Sequence, residues 1–154
     1  MTGTVERIHV APTPGAPPER VESVRAVAGE GLEGDRYYEG EGTFGRGEDR
    51  AITLIEAEAL AAAERDYDID LEPGIHRRNV TTCGVALNHL VDTRFRVGDA
   101  VCEGAELCEP CSYLEQHTEV PDVEGALVHR GGLRARIVET GPVSEGDTVG
   151  PASE

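Results

Sequence analysis

Arg94-Phe-Arg-Val-Gly-Asp-Ala-Val-Cys-Glu-Gly-Ala-Glu-Leu107 decides the fold class of this chain. From Arg94 to Val97 charged and apolar residues alternate, which is the period of a strand with one buried face. Gly98-Asp99 then supplies residues that tolerate the backbone of a tight hairpin turn, and an extended run resumes at Ala100. The stretch predicts a β-hairpin with arms 94–97 and 100–107. Its turn is echoed further on, where Val97-Gly-Asp-Ala-Val101 returns loosely as Glu145-Gly-Asp-Thr-Val149. No full internal repeat accompanies the echo.

Outward from the hairpin, Val5 to Val10 reads as a strand, and the Pro-rich connection from Ala11 to Pro18 suits neither a helix nor a central strand. Arg20 to Ala28 is a second extended stretch. Gly29 to Gly47, crowded with glycine and acid, reads as a long surface loop. Ala51 to Ile55 is a short buried strand, and Glu56 to Arg65, with acids in its first turn and an Ala/Leu body, is the strongest helix. Asn79 to Thr82, Gly132 to Glu139 and Thr148 to Val149 complete the strands. Many short strands at even spacing, with two or three short helices, predict a mainly β chain closed as a β-barrel rather than a layered α/β sheet.

A length of 154 residues suits a single domain spanning 1–154. Thirty acids against fourteen basic residues leave a net charge of -16, which repels phosphate backbones and anionic lipid, so neither nucleic acid nor membrane is expected as a partner. A basic leader and an apolar run of membrane-spanning length are both lacking, and a cytoplasmic location is expected. All fourteen basic residues are Arg. Without Lys, no pyridoxal phosphate Schiff base can form. An acidic, lysine-free surface resembles proteins adapted to concentrated salt, so most of the charge reads as habitat rather than function.

Gly29-Glu-Gly31-Leu-Glu-Gly34 satisfies a dinucleotide-binding spacing, but Asp35-Arg-Tyr-Tyr does not open the required helix, and Glu30 and Glu33 would repel a pyrophosphate. A plain glycine turn is the better reading. Asp66-Tyr-Asp68-Ile-Asp70 begins like a calcium loop, yet Leu71 stands where the turn needs Gly.

Cys108-Glu-Pro-Cys111 is the most informative motif, because it follows a strand and opens a short helix expected at 112–117. A thiol at a helix N-terminus is favoured as thiolate, the form that attacks or binds metal. Dithiol redox chemistry, structural zinc and a single catalytic or ligand cysteine compete. Thioredoxin-type chemistry wants a βαβ scaffold that the chain lacks. Zinc would have to recruit Cys83 and Cys102, which form no second C-x-x-C pair and which read as buried, inert residues on strands. Pro110 fixes the backbone before Cys111, so the second cysteine is chosen for the chemistry. Arg77-Arg78-Asn79 forms a cationic corner beside an amide, and Arg130-Gly-Gly-Leu-Arg134-Ala-Arg136 puts guanidinium groups at alternate strand positions. Such groups suit bidentate recognition of phosphate, although pairing with the abundant acids competes residue by residue.

Gly34-Asp35-Arg36, Ile52-Thr-Leu-Ile55, Arg77-Arg78-Asn79-Val80, Phe95-Arg-Val-Gly98-Asp99, Cys108-Glu-Pro-Cys111, Arg130-Gly-Gly-Leu-Arg134-Ala-Arg136 and Gly146-Asp147-Thr-Val149 occur in this order. Together they resemble the MOSC family, named for the C-terminal domain of molybdenum cofactor sulfurases, across roughly residues 20–150. The resemblance implies a distorted β-barrel with a few short peripheral α-helices and a cleft around one cysteine, here Cys111. It implies that Cys111 is the catalytic residue and molybdenum ligand, and that a molybdenum-pterin cofactor lies near Arg77, Arg78 and Asn79, with Asp35, Arg36 and Arg130 as further cofactor contacts. The implied reaction is removal of oxygen from an N-hydroxylated or N-oxide small molecule, with a redox protein as reductant. The rival within the family is a sulfur carrier that holds a persulfide on Cys111 for a donor or acceptor protein, with Cys108 as resolving thiol. Longer relatives carry an extra N-terminal domain, so the cleft here would be more open or completed by a second subunit of an oligomer. Gly40 to Gly47 is a candidate lid by position and glycine content.

Overall fold

The structure, a computed structural model, describes residues 2–10, 19–34, 52–67, 79–107 and 132–151. Eleven strands, one α-helix and one 3₁₀ turn are found among them: β1 (Gly3–Val10), β2 (Glu19–Val21), β3 (Ser23–Val27), β4 (Gly31–Leu32), β5 (Ile52–Glu56), α1 (Ala57–Tyr67), β6 (Val80–Cys83), the turn Leu87–Leu90, β7 (Arg94–Val97), β8 (Ala100–Leu107), β9 (Leu133–Glu139), β10 (Gly141–Ser144) and β11 (Thr148–Pro151). The main sheet runs β11-β7-β8-β9-β5-β6-β1-β2, and β11 also pairs with β1. That extra pairing closes seven strands into a barrel, with β2 as an outlying flap, and leaves β10-β3-β4 as a small second sheet.

Alternation along each strand supplies the core. Phe95 and Val97 of β7, Ala100 and Cys102 of β8, Leu133, Ala135 and Ile137 of β9, and Ile52 and Leu54 of β5 belong to one buried cluster. Their sequence neighbours Arg94, Arg96, Glu103, Arg134 and Arg136 therefore face outward. Leu107, Leu133, Leu54, Val80, Ile8 and Val21 form one lateral row across six strands. Of the central pairs, β5 with β6 is parallel, and α1 is part of the crossover that such a pair requires. This helix lies outside the barrel, where Ala59 and Leu60 are buried together with outward-facing Ile55.

The expected hairpin is present to the residue, and its turn meets its own echo. Gly98, at φ 61°, donates its N–H to the Thr148 carbonyl at 3.0 Å, and Asp99 N–H reaches the Pro142 carbonyl at 3.1 Å. Asp147 folds its carboxylate back to accept the Ser144 N–H at 2.8 Å. A side chain on Gly98 would stand 2.5 Å from that carboxylate and 2.9 Å from the Pro142 carbonyl, so the two turns interlock only because one lacks a Cβ.

Two expectations are corrected. The loop expected from Gly29 to Gly47 begins with a strand, because Gly31–Leu32 pairs back on Ala26 and Val27 and buries Leu32 completely. The extended stretch from Arg20 to Ala28 splits at Glu22 into strands of two different sheets. The peripheral helical structure among the described residues is α1 and the 3₁₀ turn. The segments expected at Ala11–Pro18, Gly40–Gly47 and 112–117, and the Asp66–Asp70 run beyond Tyr67, lie outside the described residues. No described helix is long and apolar enough to cross a membrane.

Candidate functional site

The glycine motif resolves first. Strand β3 leads through Ala28, Gly29 and Glu30 into strand β4, with Glu30 N–H on the Val27 carbonyl at 3.0 Å and positive φ at Gly29, Gly31 and Gly34. A strand-turn-strand in place of a strand-turn-helix offers no helix N-terminus for a pyrophosphate.

Two of the four cysteines are placed, and neither faces the other. Cys102 is sealed in the barrel core, and burial pushes its thiol up to about 12, so it is a protonated, inert side chain at neutral pH. Cys83 ends β6 and shares a 3.2 Å hydrogen bond with the Thr4 hydroxyl. Around the closed barrel β6 and β8 are three strands apart one way and four the other. Zinc needs sulfurs within about 2.3 Å of one ion, so a shared site using both is excluded by the walls of the barrel. Among the described residues no group of three or more His, Cys, Asp and Glu could hold a metal.

Asn79, expected as a cofactor contact, is buried and knits three strands. Its side-chain oxygen accepts from the Thr53 N–H and hydroxyl, each at 3.0 Å, while its amide nitrogen donates to the His9 carbonyl at 3.1 Å. Thr53 returns a bond by accepting the Asn79 N–H at 3.0 Å. The amide therefore fixes β1, β5 and β6 against one another immediately after Arg77 and Arg78 in the chain. Arg134 and Arg136, at alternate positions of β9, point outward and pair with Glu106 at 2.7 Å and Glu103 at 3.4 Å. These two are thus engaged by acids, the pairing weighed above against phosphate recognition.

Cys108, Cys111, Asp35, Arg36, Arg77, Arg78 and Arg130 lie outside the described residues. The strand ends that lead to several of them share the lateral row. Leu107, immediately before Cys108, is paired with Leu133, which follows Arg130 by three positions. Leu133 is two strand spacings, about 10 Å, from Val80, which follows Arg78 by two positions. Gly132 passes so close to the Leu54 carbonyl that a Cβ would overlap it, and its φ of 108° is open to glycine alone. The conspicuous glycines after Arg130 thus end in a backbone contact with β5.

Glu56 was not anticipated as more than a helix start. It follows Ile52 and Leu54 on the inward parity of β5, and its carboxylate accepts the Leu87 N–H at 3.1 Å, holding the 3₁₀ turn against the barrel end. Burial raises its pKa above the ordinary glutamate value, the Leu87 hydrogen bond opposes the rise, Glu58 adds to it and His89 opposes it. Glu58 accepts the Gly84 N–H at 2.8 Å. The period-two run Ile52-x-Leu54-x-Glu56 was the available signal.

A family model described as MOSC domain matches residues 41–150. That span holds Arg77 through Cys111 and Arg130, while Asp35 and Arg36 precede it. Among solved structures, the YuaD protein from Bacillus subtilis is 19% identical with a TM-score of 0.78, covering 97% of this chain and 94% of its own. YiiM from Geobacillus stearothermophilus is 18% identical with a TM-score of 0.76, covering 98% and 75%. YiiM from Escherichia coli is 20% identical with a TM-score of 0.72, covering 100% and 71%. At these identities the likeness establishes the fold. Comparison with curated proteins yields no match.

Proposed function

The chain belongs to the MOSC domain family, and from that premise we propose that it holds a molybdenum-pterin cofactor through Cys111 and reduces N-hydroxylated or N-oxide compounds. The supporting observation is the division of the cysteines. Cys102 is protonated inside the core and Cys83 stands on the opposite wall. That division supports a thiolate ligand from Cys108 or Cys111, in the segment joining β8 to β9 within the matched span. The donor set fits the group: thiolate is a soft ligand for a metal-sulfur site, and Arg77, Arg78 and Arg130 can neutralise a phosphate. Asp35 and Arg36 would contact the cofactor from the segment before β5. Asn79 contributes by positioning, since its amide secures the strand that Arg77 and Arg78 enter. Bound there, the cofactor would supply two-electron reduction of the substrate, with a redox protein as reductant.

A second reading is favoured by the three-residue spacing of Cys108 and Cys111. In a sulfur carrier, Cys111 holds a persulfide, and attack of the Cys108 thiolate on the Cys111 sulfur forms a disulfide and releases hydrosulfide.

Elemental analysis of protein purified without air from a cofactor-making host separates the readings. Stoichiometric molybdenum that is lost in Cys111→Ser and kept in Cys83→Ser is expected. Metal-free protein carrying cyanide-labile sulfur on Cys111 would establish the carrier instead, and equal losses from the two substitutions would contradict both.

A further inference from the structure

The described residues hold sixteen acids and eight arginines, yet on the outer face of β7, β8 and β9 arginines outnumber acids. Arg94, Arg96, Arg134 and Arg136 all point outward there, against Glu103, Glu106 and, at the end of β9, Glu139. Register sets them in one lattice: Arg94 opposite Glu103, Glu103 opposite Arg136, and Glu106 opposite Arg134. The resulting ion pairs, at 4.0, 3.4 and 2.7 Å, are exposed enough that each contributes little and can exchange partners. Arg96 is exposed between Val101 and Gly150, neither of which offers a carboxylate. Half of the described cations therefore occupy one sheet face, with guanidinium in excess.

We propose that this face docks an acidic protein partner, whose carboxylates pair with Arg96 and compete for Arg94, Arg134 and Arg136. Charge complementarity selects the occupant. A long polyanion would run beyond the patch onto a molecule of net charge -16, whereas a compact cluster of carboxylates meets four forked donors that suit bidentate pairing. The location adds a task, which rests on the proposed function. Glu106 and Arg134 stand one residue from Leu107 and Leu133, the strand ends that lead to the segment of Cys108, Cys111 and Arg130. A partner seated here would lie beside the entrance to that segment, where a reductant or a sulfur donor has to arrive.

The test uses the full chain labelled with ¹⁵N and a triglutamate peptide as probe. Amide shifts concentrated in 94–97, 103–106 and 134–136 are expected, with Arg96→Glu weakening the probe about fivefold. Arg25→Glu, an exposed arginine on β3 of the other sheet, should leave affinity unchanged. Cys111→Ser should bind like wild type, so failure of the cofactor reading would not disturb this result. Equal losses from Arg25→Glu and Arg96→Glu, or shifts centred elsewhere, would overturn the docking face. So would tighter binding of a single-stranded oligonucleotide at the same residues. Sedimentation showing self-association that Arg96→Glu abolishes would replace the acidic partner by a second copy of the chain.

Discussion

Glu56 is a carboxylate placed where the barrel would accept an apolar residue, and its use is to hold the Leu87 N–H. Since its folded pKa lies above the ordinary glutamate value, protonation favours the fold. The stabilisation from this group is complete below about pH 4.3 and is lost as pH rises through the raised folded value. Glu56→Gln keeps an oxygen for Leu87 and removes the buried charge. Because the side chain is half-exposed, screening limits the gain, and Tm at pH 7 should rise by about 1–2 °C, with the difference vanishing near pH 4. A thermal melt series of the two proteins across that range checks it; a gap independent of pH would assign the effect to packing alone. Cys102 shows the same physics in a side chain that suffers no cost, since a thiol kept neutral is simply a small apolar group.

Among the elements, the close approach of the start of β9 to its neighbour β5 is the least forgiving. Gly132 stands at φ 108° with its Cα facing the Leu54 carbonyl, whose carbon would lie 3.0 Å from an added Cβ. Gly132→Ala should therefore lower stability by roughly 3 kcal/mol and Tm by about 6–12 °C, read by denaturant and thermal unfolding. The effect should exceed that of Gly146→Ala, where no atom lies within 4 Å of the added group although φ is also positive. Elements were legible in the sequence where side chains alternate. The hairpin of β7 and β8, strands β1, β5, β6 and β9, and helix α1 follow from apolar periodicity and from turn residues. Strands β4 and β10 were not legible, since Gly31-Leu32 and Gly141-Pro-Val-Ser144 have too few side chains to show a period. Gly141 is small because a Cβ would press on the Asp99–Ala100 peptide, a contact fixed only by the tertiary fold. Of the site, the cysteine motif was legible as chemistry. That Asn79 ties strands together, and that Arg134 and Arg136 face acids, depended on register, which one sequence does not display.

For the whole molecule, the dominant quantity is the net charge of -16. Self-repulsion of that size acts over about 10 Å at 0.1 M salt and about 3 Å at 1 M. The surface ion pairs that salt also weakens are worth less than about 1 kcal/mol each, so screening of the repulsion prevails. Tm should rise by about 10 °C or more between 0.1 and 2 M KCl, measured by scanning calorimetry, and a flat or falling curve would remove the salt-adaptation reading.

The place of β11 between β1 and β7 sets the timing of assembly. β1 can pair with β2 and β6 earlier, but the Gly3–Thr4 end of its edge, which β2 does not reach, waits for the last barrel strand, at 148–151. Until then that end of β1 and the outer edge of β7 are bare hydrogen-bonding edges beside a cluster of aliphatic side chains. During translation the nascent chain is thus a strip rather than a cylinder, open to pairing with neighbours on the same messenger. Closure is a single late event that joins the two ends, so folding should be slow for a chain of this length, and the danger of misassembly falls within that interval.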